Sequence, residues 1–174
     1  MADNSFRTIS AWRRGIADIT FMRFWVWLIL VSIHLLAGAA WFGAMIYSLV
    51  VFHPRAKRFF DEDDEQFEAL IATVSQGARW KVLAVLGVIG GSGAALIPFA
   101  VWHRGLGALL IVKTALLIAA VGIFCYASWR LWPVRIFALP GETEAIRGRF
   151  RMVAITLIGI AAAAMVLGVW AHGE

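Results

Sequence analysis

Two side chains that carry or exchange protons lie inside stretches otherwise built from aliphatic and small residues: His34 and Lys113. Ionisable groups inside a membrane are costly and call for a reason. His34 sits about ten residues into an apolar run, and Gly38, Trp41, Met45 and Ser48 follow it at intervals of three or four. That spacing places them on one helical face. Gly38 leaves room beside the imidazole and Trp41 could wall it in. An imidazole so placed either holds a ligand or a proton, or hydrogen-bonds a neighbouring helix. Lys113 lies about seven residues into another apolar run. Its stem is long enough to snorkel to the interface; turned inward, it would bind a propionate, an anion or a carboxylate substrate.

His103 and His172 close two further apolar runs, so all four runs contribute a nitrogen donor, and Met165 precedes His172 by about two helical turns. Imidazole with thioether suits copper, and two imidazoles can ligate haem iron. The candidate metal ligands are therefore His34, Met45, His103 and His172, and the candidate cofactor contacts are His34, Lys113, Trp41 and Tyr47. His53, beside Pro54, reads as a loop residue, and Cys125 as a small core residue. A single cysteine excludes a disulfide framework and cysteine-based zinc or iron–sulfur sites. There is no serine–histidine–acid set, no phosphate loop and no intramembrane carboxylate pair, so hydrolytic and nucleotide chemistry has no support. Whether the chain is an enzyme stays open.

The elements that must position these groups follow from composition. Of 174 residues, 61% are hydrophobic and 16% charged, and the mean hydropathy is +0.80. That is more apolar and less charged than a soluble domain, and too aromatic for a disordered chain. Four stretches, 24–52, 82–102, 106–129 and 152–171, are each long enough to cross a bilayer, which takes about 20 residues of helix. The first is too long for a signal peptide. Ahead of it, Ile9, Trp12, Ile16 and Ile19 alternate with Arg13, Arg14 and Asp18, which predicts an amphipathic surface helix over 9–23. Small residues let membrane helices approach, so Gly87, Gly91 and Ala95, and Gly159 with Ala163, are expected to be packing faces. The expected architecture is an all-α membrane protein, an antiparallel four-helix bundle forming one domain over 1–174. No internal repeat stands out.

Five basic residues (Arg7, Arg13, Arg14, Arg23, Arg104) fall on the side of the termini, and ten fall on the other side, in the loops 53–81 and 130–151. The positive-inside rule makes those loops cytoplasmic and both termini periplasmic, in a bacterial-type inner membrane. In the first loop a basic segment, His53 to Arg58, is followed by Asp61 to Glu65. Acids there favour a helix start, predicting a helix from about Glu62 to Val74. Pro133 and Pro140 mark the other loop as irregular. The net charge of +5 belongs to these loops and carries no nucleic-acid motif.

The segment His34-Leu35-Leu36-Ala37-Gly38-Ala39-Ala40-Trp41-Phe42-Gly43, with Tyr47 further on, resembles the opening helix of the CopD-like membrane family. That family takes in the copper-resistance membrane domain and, more distantly, the HemJ-type protoporphyrinogen oxidases. The likeness continues at Gly90-Gly91-Ser92-Gly93 and at Leu110-Ile111-Val112-Lys113-Thr114-Ala115-Leu116-Leu117, covering roughly residues 30 to 130. It implies a four-helix unit that handles copper or binds haem and porphyrin, with His34 and Lys113 at the family's functional pair. Three functions follow: an inner-membrane protein that binds or transports copper; a haem b-binding redox protein or porphyrinogen oxidase; or an accessory subunit with no site of its own. The corresponding partners are the lipid bilayer, a membrane or periplasmic protein, and a second copy of the chain; nucleic acid is not among them.

Overall fold

The computed structural model describes residues 3–60, 63–100, 106–137 and 142–170, with side chains from Thr20 onward. Among these residues every regular element is helical. Helix α1 (Asp3–Tyr47) runs through a five-residue π-turn (Ser48–Phe52) into α2 (His53–Phe59). Then come α3 (Asp64–Ser75), α4 (Ala78–Leu96) with a short 3₁₀ turn (Ile97–Phe99), and α5 (Leu106–Tyr126). A second π-turn (Ala127–Leu131) leads into α6 (Trp132–Ile136), and α7 (Thr143–Trp170) ends the described chain. Four helical stretches are long and apolar enough to cross a membrane: Thr20–Phe59, Ala78–Phe99, Leu106–Ile136 and Thr143–Trp170.

The expected apolar runs fall almost wholly within these helices, but the helices extend further. Residues 53–59, 130–136 and 143–151, expected as loop, are helical. Pro54 and Pro133 do not end their helices, because each lies in the first turn of the helix after a π-turn. In a first turn, proline's missing N–H breaks no intrahelical bond. Likewise the segment 9–23 is continuous with the first span, since no glycine or proline separates Gly15 from Gly38; its amphipathic face lies outside the described side chains. Helix α3 begins close to its expected start. Asp63 caps it by accepting from the Gln66 amide at 3.0 Å, and the Gln66 side chain donates back to Asp63 at 2.7 Å. Gly77, at φ 72°, turns the chain from α3 into α4 in a left-handed conformation that suits glycine.

The four long helices close a ring of contacts: α1 on α4, α4 on α5, α5 on α7 and α7 on α1. The inward face of α4 carries Leu86, Gly90 and Gly93, spaced four and three apart. A Cβ on Gly90 would come within 3.1 Å of Leu117, and one on Gly93 within 3.2 Å of His34. The expected packing stripe is therefore corrected. Gly87, Gly91 and Ala95 are exposed, and a Cβ on Gly87, Gly91 or Gly159 would meet nothing within 4 Å. The positions beside them, one step round the helix, hold the close approach.

The two halves of the chain repeat a device. Gly43, Tyr47 and Pro54 recur at identical spacing as Gly122, Tyr126 and Pro133, and in both halves a π-turn starts directly after the tyrosine. In the first half the stretch equivalent to the start of α7 is a separate helix, α3, parted from α4 by the turn at Gly77.

Helix α3 is fastened to the second half by an ionic clasp. Phe67 and Ile71 are buried against Phe52, Ala56, Phe60 and Trp132. Beside them Glu68 accepts from Arg135 at 2.8 Å and from Arg147 at 2.9 Å, and Arg147 also reaches Asp64 at 2.8 Å. The Arg135 side chain is only 6% exposed and lies against the rings of Trp132 and Phe150. Burial pushes the Glu68 carboxyl up, but hydrogen bonds from Arg135 and Arg147, and then their charges, outweigh it and hold it below the ordinary carboxylate value. Glu68→Gln should lower stability at neutral pH by about 2 kcal/mol, as expected for lost charge-assisted hydrogen bonds. Because the folded pKa lies below the unfolded one, the stabilisation is complete at neutral pH and is lost as pH falls below the ordinary glutamate range and through the depressed folded value. Thermal unfolding in detergent at pH 7 and pH 3.5 should show the gap between the two proteins narrowing.

Candidate functional site

The site is built around His34 on α1. Its Nδ1 lies 3.0 Å from the Ile89 carbonyl and 3.0 Å from the Ser92 hydroxyl, both on α4. A carbonyl can only accept, so Nδ1 carries the hydrogen. The Ser92 hydroxyl spends its own hydrogen on the Val88 carbonyl at 2.6 Å, which leaves its oxygen free to accept from the imidazole. The tautomer follows: in the neutral ring Nε2 bears the lone pair and is the atom able to bind a metal or accept a proton. This is the arrangement by which a second group orients a ligating histidine. Gly93 makes it possible, because a side chain there would strike the ring.

Lys113 points inward. Its ammonium lies 3.2 Å from where a Cβ of Gly168 on α7 would stand, so it packs close against that glycine. There it sits beside the C-terminal turns of α7, the end at which a helix favours a cation. It is also within electrostatic range of His34. The shift that carries Tyr47 onto Tyr126 also carries His34 onto Lys113 and Ile89 onto Gly168, so the imidazole and the ammonium occupy equivalent places in the two halves.

The remaining candidates divide. Met165 of α7 lies across from α1, its methyl 3.8 Å from the Cβ position of Gly38, one turn beyond His34. Trp41 is half-buried two turns along. Met45 and Tyr47 are further down the same continuous helix; Met45 is about 16 Å of rise from His34, too far to share one ion with it. Tyr47 is exposed on the outside of the bundle. His103 and His172 lie outside the described residues. His53 is a structural group: its Nδ1 donates to the Ser48 carbonyl at 2.8 Å across the π-turn. Among the described residues no three His, Cys, Asp or Glu side chains converge as a metal site would require. Sequence reasoning passed over Ser92 as part of a glycine-rich stretch; the signal was there, since it is the one hydroxyl in the second span.

No protein-family model, curated protein or solved structure matches the chain.

Gly93→Leu should evict the imidazole from its hydrogen bonds and destabilise the protein by about 1–3 kcal/mol, as overpacking does. Gly87→Leu, on the open face of the same helix, should leave the melting temperature within a degree or two of the parent's. Equal losses for both would show that the His34 contact does not depend on the glycine.

Proposed function

We propose that this chain is a multi-pass protein of the inner membrane, related to the CopD-like family, that binds haem b or a related porphyrin within its helical bundle. In this reading the bundle is antiparallel, the basic loops are cytoplasmic and both termini periplasmic, in keeping with their unequal share of arginine and lysine. The observation that carries it is the pairing of His34 with Lys113: an imidazole whose tautomer is fixed with Nε2 available, and an inward ammonium within electrostatic range. A lysine beside the ligand works against a bare cation and in favour of a ligand with carboxylates. The donor set fits such a group. His34 would hold the iron through Nε2, and Lys113 would pair with a propionate; the macrocycle would supply the redox chemistry.

A second reading has its own support. Met165 brings a thioether to the turn next to His34, and imidazole with thioether is a soft set suited to monovalent copper.

One preparation separates the readings. Protein purified in mild detergent from haem-sufficient cells should show a Soret band with sharp bands on reduction, lost in His34→Ala. In Lys113→Gln haem affinity should fall about 10–100-fold, the worth of one charge-assisted bond. Met165→Leu should leave that spectrum unchanged. A colourless sample holding near-stoichiometric copper, lost in both His34→Ala and Met165→Leu, would replace haem with copper. A sample with neither would leave an accessory subunit as the reading.

A further inference from the structure

The repeat extends to the outer surface. Two grooves open where the π-turns carry α1 and α5 out of the apolar region. One, about 430 Å³, is lined by Tyr47, Phe52 and Arg55 among apolar neighbours. The other, about 390 Å³, is lined by Tyr126, Leu131 and Arg149. Tyr47 and Tyr126 are equivalent in the two halves, as are Phe52 and Leu131. Each groove therefore offers the same three things: an apolar wall, an exposed phenol and one guanidinium.

The arginines at this end differ in whether an acid neutralises them, and the two that line the grooves are not neutralised. Arg135 and Arg147 are neutralised by Glu68 and Asp64. Arg55 and Arg149 are exposed, no acid lines either groove, and among the described residues neither forms an ion pair. An unneutralised guanidinium beside apolar surface at the end of a spanning helix is matched in charge and shape by a lipid phosphate with its acyl chains. Both tyrosines are exposed, and a phenol on a membrane helix favours the level of the headgroups.

We infer that the two grooves are paired sites for anionic phospholipids of the leaflet at the basic end of the bundle. The phosphate sits on Arg55 in one site and on Arg149 in the other, the tyrosine hydroxyl donates to the headgroup, and the acyl chains lie along the apolar walls. This does not depend on what His34 binds.

Native mass spectrometry of the full chain in detergent, titrated with phosphatidylglycerol or with phosphatidylcholine of the same acyl chains, tests it. Two phosphatidylglycerols should be retained, against weak binding of phosphatidylcholine. Arg55→Gln and Arg149→Gln should each keep one, and the double variant should bind at least about tenfold more weakly at both. Equal retention of the two lipids, two phosphatidylglycerols on the double variant, or loss of both from either single variant would overturn the proposal. So would a dimer mass that needs the arginines and no lipid. Circular dichroism checks that the variants fold. If the double variant loses helicity, Tyr47→Phe with Tyr126→Phe takes its place, and an unchanged preference for phosphatidylglycerol over phosphatidylcholine in that pair would count against the sites.

Discussion

A backbone carbonyl has no hydrogen to give, and at Ile89 that asymmetry governs what His34 can do. The imidazole must donate through Nδ1, so its other nitrogen is left as a base. The bond also ties α1 to α4 at one height, and the close approach it needs is bought by Gly93. In a medium that offers no water to stray polar groups, this anchoring binds more tightly than packing alone. Ser92 completes the arrangement by accepting from the ring while donating to its own helix, so its buried hydroxyl is satisfied.

At the other end of the bundle the same constraint is met with charge. Glu68 receives two guanidinium groups, and aromatic rings cover the arginines that supply them. Removing one partner would leave a half-buried charge unmatched, which is why such clasps are sensitive to substitution even when the intact pair adds little. The clasp joins α3 to α6 and α7, so the separate helix that distinguishes the first half is held by the second.

Much of this was legible in the sequence. Four helices were readable because length and apolarity are nearly sufficient to specify a membrane helix, and α3 because the acidic run Asp61 to Glu65 favours a helix start. His34 and Lys113 stood out as ionisable residues among aliphatic ones. What escaped was rotational. The stripe Gly87–Gly91–Ala95 and the contact positions Gly90 and Gly93 differ by one step around α4, and composition does not say which side meets a neighbour. The helical character of 130–136 and 143–151 escaped because proline and arginine read as loop signals, whereas a π-turn absorbs the proline and the water-facing turns of a long helix accommodate the arginines. The repeat escaped because three matched residues spread over a dozen positions are invisible until the π-turns mark their common place.

That repeat makes the interior lopsided. Two halves built alike would present the same group from opposite sides, and the interior would look the same from either half. Here one half presents an imidazole and the other a lysine at matching positions. The frame is nearly symmetric, and the mismatch at His34 and Lys113 gives the interior of the bundle a front and a back.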